Sequence, residues 1–285
     1  MAEPAPYLSR IREPFIDSVK KAGALALSHL DSGDLKQWDK KPGDPVSDAD
    51  LAVDAFMKES LSALLPEAGW LSEETEDSGD RLTRDLVWIV DPIDGTRSFL
   101  KGGPNWGVSA ALVKSGHPVL AAFYAPAQEK LFVAAENQGT EVNGSPVQVS
   151  KISDLNDARM MGHDDGFRSK YWPVKWPDSM DCYAANSIAL RLCLLADGTA
   201  DACVTLRPKN DWDIVAAHLI LKEAGGVMET SDRKPIIYNQ ANTLHANVVA
   251  SNGHLQQALF DRVIPAIEAW RERQRKEKEN NADQK

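Results

Sequence analysis

The sequence predicts a mixed α and β fold: an α+β N-terminal half over residues 1–150, an α/β C-terminal half over 151–268, and a charged tail over 269–285. Three observations lead there. Two helical patterns precede a run of short strands in the first half, the order of an α+β arrangement. In the second half, apolar strands alternate with glycine-closed helices. The end, W-R-E-R-Q-R-K-E-K-E-N-N-A-D-Q-K, is highly charged and is expected to fray into solvent.

Residues 7–30 place Ile11, Phe15, Val19, Ala22, Ala26 and Leu30 at helical spacing, which predicts a long amphipathic helix. The segment D-K-K-P-G-D-P-V-S-D, 39–48, is rich in Pro, Gly and Asp and reads as a loop. Ser47 followed by Asp50 forms a capping pair for a second helix, which Pro66 and Gly69 stop after Leu65. Strands are expected at Trp70-Leu71, at Leu86 to Val90, and at G-V-S-A-A-L-V, P-V-L-A-A-F-Y-A-P and K-L-F-V-A-A-E. The last of these are separated by the short gaps K-S-G-H and A-Q-E, so they read as an antiparallel meander. Beyond residue 150, A-R-M-M-G is a strand, and Ser187 to Ala196 a helix ended by Gly198. D-A-C-V-T-L is a strand, and Asp213 to Ala224 a helix closed by Gly225-Gly226. Strands G-V-M-E-T and A-N-V-V-A-S follow, then a final helix from about His254.

At 285 residues the chain suffices for one large domain or two half-domains sharing a core. A net charge of -10 argues against non-specific binding to nucleic acid or to an anionic membrane, both of which reward clustered positive charge. Cys182, Cys193 and Cys203 lack Cys-x-x-Cys spacing, so buried reduced thiols are expected rather than a zinc site or disulfide framework. The N-terminal stretch has no apolar core of signal-peptide length, and no segment approaches a membrane span; a cytoplasmic protein is expected.

The stretch W-I-V-D-P-I-D-G-T, 88–96, runs an apolar strand into two carboxylates, Asp91 and Asp94. Pro92 cannot continue a ladder, so the chain must turn there. Such a turn can gather carboxylates and carbonyls around a hard, oxygen-loving cation. Gly95 allows close backbone approach, and a helix starting at Thr96 would offer free amides to a phosphate. An Asp-rich turn in which Asp94 merely caps that helix is an equally open reading. Glu73 and Glu74, Asp50 and Asp213 each have a plain explanation alone: solvated surface, helix capping, and complementing a helix dipole.

Taken together in order, these motifs resemble the inositol monophosphatase superfamily of Mg²⁺-dependent, often lithium-sensitive phosphatases. The resemblance runs from about residue 20 to 255. It is carried by D-P-I-D-G-T at 91–96 and by Trp212-Asp213 with its helix and Glu223-Ala-Gly-Gly. It is also carried by Asp44-Pro-Val-Ser-Asp-Ala-Asp50 and by Ser72-Glu73-Glu74-Thr75. The family's fold is a layered α-β-α-β-α sandwich, also that of fructose-1,6-bisphosphatases. By the resemblance, Glu73, Asp91 and the Ile93 carbonyl would ligate one Mg²⁺, and Asp91, Asp94 and Asp213 a second. A third ion near Glu73 is an option, so the family pattern implies two or three. Asp50, Glu73 and Thr96 would serve catalysis, Asp50 pairing with Thr96 to position or deprotonate the attacking water. The amides of Gly95 and Thr96 would hold the phosphate.

The substrate is a small phosphate monoester on this reading, and the family offers several. Inositol enzymes usually carry a glutamate seven residues before the Trp-Asp aspartate; this chain has Leu206 there. Arg207 and Lys209 lie beside it and favour a second anionic group. L-S-E-E, Y-A-P and P-x-N-x-W-D are similar to bacterial 3′(2′),5′-bisphosphate nucleotidases, whose G-S-S-x-K is echoed by Ser187-Ile188-Ala189-Leu190-Arg191. Arg191, Arg207 and Lys209 are therefore candidate substrate-reading residues, though ordinary solvated charges explain them equally well. The order of expectation is a bisphosphate nucleotide, then inositol-1-phosphate, then histidinol phosphate. A non-catalytic regulatory role, through RNA or the transcription machinery as in some superfamily members, ranks last. Inositol-type relatives are often dimers and nucleotidase-type relatives often monomers, which leaves a homodimer open.

Overall fold

The structure, a computed structural model, describes residues 6–282. Helix α1 (Pro6–Ser32) and helix α2 (Asp48–Leu64) pack against each other. The predicted stripe is the buried one: Ile11, Phe15, Val19, Ala22 and Ala26 are each at most 2% exposed. The α2 start is a capping box, with the Ser47 N–H donating to Asp50 Oδ2 at 2.8 Å.

Between the two helices the expected loop is instead a hairpin, β1 (Gln37–Lys41) paired antiparallel with β2 (Asp44–Ser47). Its prolines and glycine hid it. Gly43 takes φ 79°, suited to a tight turn, and Pro45 can sit in a strand because the ribbon has only two strands and is all edge.

The first sheet has seven strands in sequence order: β3 (Gly69–Ser72), β4 (Leu86–Asp94), β5 (Gly107–Lys114), β6 (His117–Ala125), β7 (Lys130–Ala135), β8 (Thr140–Val142) and β9 (Ser145–Val147). β3 and β4 run parallel and every later pair is antiparallel, so the meander is as expected and one hairpin longer. Alternate residues divide its faces. Trp88, Val90, Ala110, Leu112 and Ala122 pack with α1 and α2. Val87, Ile89, Ala111, Ala121 and Phe123 face the other way. A four-residue helix, α3 (Thr96–Phe99), leaves the end of β4.

The second half contains β10 (Arg159–Met161), α4 (Asp164–Phe167), β11 (Asp181–Tyr183), α5 (Ile188–Ala196), β12 (Ala202–Thr205), β13 (Lys209–Asn210), α6 (Asp211–Glu223), β14 (Val227–Glu229), β15 (Leu244–His245), β16 (Val248–Ser251) and α7 (Gln256–Ala282). Its five-stranded sheet has the order β11-β10-β12-β16-β14, with β10 parallel to both neighbours and β16 antiparallel to both of its own. Helices α5 and α6 are sandwiched between the sheets, sharing one core with Ile89 and Phe123 of the first and Cys203 and Ala250 of the second. The outer face of the second sheet packs Met160, Ala202 and Val249 against Leu259, Phe260 and Val263 of α7. The layers therefore run helix pair, sheet, helix pair, sheet, helix.

Cys193 and Cys203 are buried, Cys182 half-buried, and all are free thiols. The charged tail is drawn into α7, which continues through Ala282, while residues 283–285 lie outside the described residues. Good helix formers and pairs one turn apart support the exposed turns, with Lys276 Nζ 2.7 Å from Glu272 Oε1 and Arg275 Nε 3.9 Å from Glu279 Oε1. Among the described residues no helix is long and apolar enough to cross a membrane.

Candidate functional site

The end of β4 is bent by an irregularity in its pairing. Asp91 pairs with Ser109 and Asp94 with Gly107, so one extra residue is accommodated on β4 between them. A bulge of this kind re-aims side chains, and it brings Asp94 round beside Asp91. Both are buried, at 1% and 6% exposure. Gly95 then takes φ 98°, and a Cβ there would sit 2.8 Å from the Asn105 carbonyl oxygen. The Ile93 N–H donates to Asp91 Oδ1 at 3.0 Å. Thr96 Oγ1 donates to the Ile93 carbonyl at 3.0 Å and lies 3.4 Å from Asp50 Oδ1.

Asp213 arrives from the start of α6, one layer away. The helix begins at Asp211 rather than Asp213, because Asn210 caps it and Asp213 closes the box, accepting the Asn210 N–H at 2.6 Å. Asp91, Asp94 and Asp213 each offer an oxygen, and these lie within 4.8 Å of one another. Glu73 is not in that cluster. Its Oε1 accepts from Lys40 Nζ at 2.7 Å, and the same ammonium donates to Glu74 Oε1 at 3.0 Å.

Three positioning contacts have no counterpart among the sequence-based expectations. Lys40 stands in the segment expected to be a loop, where adjacent lysines look solvated. Asp54, 7% exposed, accepts from the hydroxyls of Ser72 and Thr75 and so ties the Glu73 loop to α2. Ser187, expected as a helix start but not as a partner of Asp94, donates to Asp94 Oδ2, which also accepts the Ala189 N–H at 2.7 Å. Its one visible signal is its place at the head of the segment that echoes G-S-S-x-K.

Burial pushes the Asp91 carboxyl well above its ordinary value, and the charges of Glu73, Asp94 and Asp213 push the same way. Burial also raises Asp94, against the Ser187 hydrogen bond and the Lys209 charge. Asp213 is pushed up to about 7, chiefly by burial, with Lys209 opposing and Asp94 adding to the rise. Glu74 likewise rises to about 7 through burial, opposed by Lys40. Burial outweighs the Ser47 hydrogen bonds to raise Asp50. Burial disfavours the Lys40 charge, but Glu73 and Glu74 more than offset it and its pKa is raised. The site thus gathers more negative charge than its lysines neutralise. An all-oxygen, carboxylate-rich donor set of this kind fits a hard divalent cation, and Asp91, Asp94 and Asp213 can hold one.

Of the candidate substrate-reading residues, the structure brings Lys209 to the site, near enough to act on both Asp94 and Asp213. Lys209 lies on β13, which pairs with β15 opposite His245. His245 Nε2 lies 2.7 Å from Asp211 Oδ1, a contact that pins the ribbon to the α6 start. Arg191 instead turns its Nε to the Ala185 carbonyl. Arg207 and Leu206 are exposed.

Comparison with known proteins gives a consistent result. The model of the inositol monophosphatase family matches residues 8–271. A fructose-1,6-bisphosphatase/inositol-1-monophosphatase of Thermotoga maritima is 30% identical, over 89% of this chain and 95% of its own. A histidinol-phosphatase of Chlorobaculum parvum is 30% identical, over 84% and 95%. The crystal structure of the extragenic suppressor protein suhB from Bartonella henselae superposes with a TM-score of 0.75 at 28% identity, covering 88% of this chain and 97% of that one. With the layered fold, the carboxylate cluster and these matches in agreement, the chain belongs to the inositol monophosphatase family, a family of phosphatases.

Proposed function

We propose that the protein is a Mg²⁺-dependent phosphomonoesterase whose preferred substrate is a 3′(2′),5′-bisphosphate nucleotide, with inositol-1-phosphate as the second reading. The observation that carries the preference is Lys209, a cation close enough to act on Asp94 and Asp213, with exposed Leu206 where a polyol-reading glutamate is expected. A lysine beside the carboxylate cluster suits a substrate with a second anionic group. It opposes the positive charge of histidinol phosphate, which ranks third. A binding-only role has no evident use for a buried cluster of mutually repelling carboxylates.

Asp91, Asp94 and Asp213, with Glu73 and the Ile93 carbonyl, are the groups that would hold two or three Mg²⁺ ions. Bound Mg²⁺ supplies charge neutralisation at the phosphate and a lowered water pKa. The protein's own part is then orientation and proton handling. Thr96 bridges the Ile93 carbonyl and the Asp50 carboxylate, and Asp50, whose burial raises its proton affinity, is suited to accept the proton of the attacking water. The Gly95 and Thr96 amides would hold the phosphate, and Lys209, with exposed Arg207 two residues before it, would receive the second anion.

A panel of adenosine 3′,5′-bisphosphate, inositol-1-phosphate and histidinol phosphate, assayed for phosphate release with and without Mg²⁺, tests this. The bisphosphate should have the highest kcat/KM, and Lys209→Ala should lower that value about tenfold while sparing inositol-1-phosphate. A tenfold preference for inositol-1-phosphate would reverse the order. Release without Mg²⁺ would remove the metal from the reading.

A further inference from the structure

We infer that Ser109 is a positioning residue for the metal site, its hydroxyl donating to the Asp91 carboxylate when the carboxylates carry their cations. The inference rests on the reading of Asp91 as a metal ligand.

Ser109 lies on β5 directly opposite Asp91 on β4. Opposed residues of an antiparallel pair project from the same face, with Cβ atoms about 5 Å apart. Strand alternation identifies that face. Val90, Val108 and Ala110 pack with α1 and α2, whereas Ile89 and Ala111 pack with α5 and α6. Asp91 and Ser109 therefore both look toward the α5 and α6 starts, where Ser187 and Asp213 stand.

Ser109 is 1% exposed, and its hydroxyl has no hydrogen-bond partner. It is the one polar side chain in G-V-S-A-A-L-V, 107–113. Across β6 it faces Phe123, which offers no acceptor. On its other side is the Asp91 carboxylate, whose Oδ1 takes the Ile93 N–H and whose second oxygen takes no protein donor among the described residues. A stranded buried donor thus sits beside an under-supplied acceptor. Carboxylates that ligate metals are normally held by such outer hydrogen bonds, which fix their orientation. The cation relieves repulsion among Asp91, Asp94 and Asp213, and Asp91 is then free to take the orientation that closes this bond.

The test uses Ser109→Ala and the near-isosteric Ser109→Cys in the full chain, with Mg²⁺ as the probe. Thermal unfolding is followed with EDTA and across a Mg²⁺ series, alongside the Mg²⁺ concentration giving half-maximal phosphate release. Both variants should match or exceed the wild-type Tm in EDTA, since no bond made there is lost. Both should need about tenfold more Mg²⁺ for half of the Tm rise and for half-activation. An unchanged Mg²⁺ response in Ser109→Ala overturns the inference. So does a weakened response in Ala but not Cys, which would assign the effect to volume, or a lower Tm in EDTA for both. Asp91→Asn separates the underlying reading: if it keeps the wild-type Mg²⁺ response, Asp91 is not a ligand and the inference falls with it.

Discussion

Asp213 shows how one residue serves two ends. As the third residue of α6 it closes a capping box with Asn210, and it also faces Asp91 and Asp94. Burial lifts its pKa to about 7, so its ionised form is costly without a cation. Each tenfold rise in proton affinity corresponds to about 1.4 kcal/mol. Asparagine keeps the capping acceptor and removes the charge. Asp213→Asn should therefore abolish Mg²⁺-dependent turnover, yet match or exceed the wild-type Tm in EDTA at pH 8. Near-normal kcat at saturating Mg²⁺ would exclude Asp213 from the metal site. The acidic residues were legible because each sits in a local motif. Lys40, Asp54 and Ser187 were not, since each is defined by a partner on another element, 33 residues away for Lys40 and Glu73 and 93 for Ser187 and Asp94.

Among the elements, the β4–α3 corner is the most constrained. Gly95 holds φ 98° against the Asn105 carbonyl, and Gly107 has Phe123 Cζ and the Tyr124 carbonyl each 2.5 Å from where a Cβ would stand. Gly95→Ala should cost at least about 1–2 kcal/mol for the backbone conformation alone, with the carbonyl clash added. Thermal unfolding in EDTA measures it; a Tm within a degree of wild type would show that the corner relaxes freely. Long elements with strong periodicity, α1, α2 and the β5–β7 meander, were legible from pattern. The β1–β2 hairpin was not, because turn residues dominate its composition. Nor was the length of α7, whose helix runs on through the charged tail with exposed charge pairs one turn apart.

Across the whole molecule the carboxylates come from different layers, and this couples metal, pH and stability. Asp213 and Glu74 titrate near 7 when folded and near about 4 when unfolded. Between those values the folded chain holds more protons than the unfolded one, so metal-free stability falls as pH rises from about 4 to about 7. Mg²⁺ bound at Asp213 would stabilise its ionised form and remove its share of that loss. The Mg²⁺-induced rise in Tm should therefore grow from pH 5 to pH 8; a rise independent of pH would show that Asp213 does not hold the ion.

The sequence by itself determined the long helices and the central strands, the buried helix stripes and the identity of the acidic groups, because periodicity, capping and turn chemistry act over a few residues. The tertiary structure decided what those groups face. Layering α6 against the first sheet brings Asp213 to Asp91 and Asp94, the hairpin carries Lys40 to Glu73, the ribbon of β13 and β15 holds Lys209 near Asp94 and Asp213, and α5 turns Arg191 to the Ala185 carbonyl. Those contacts depend on packing between elements far apart in the chain, which no local pattern encodes.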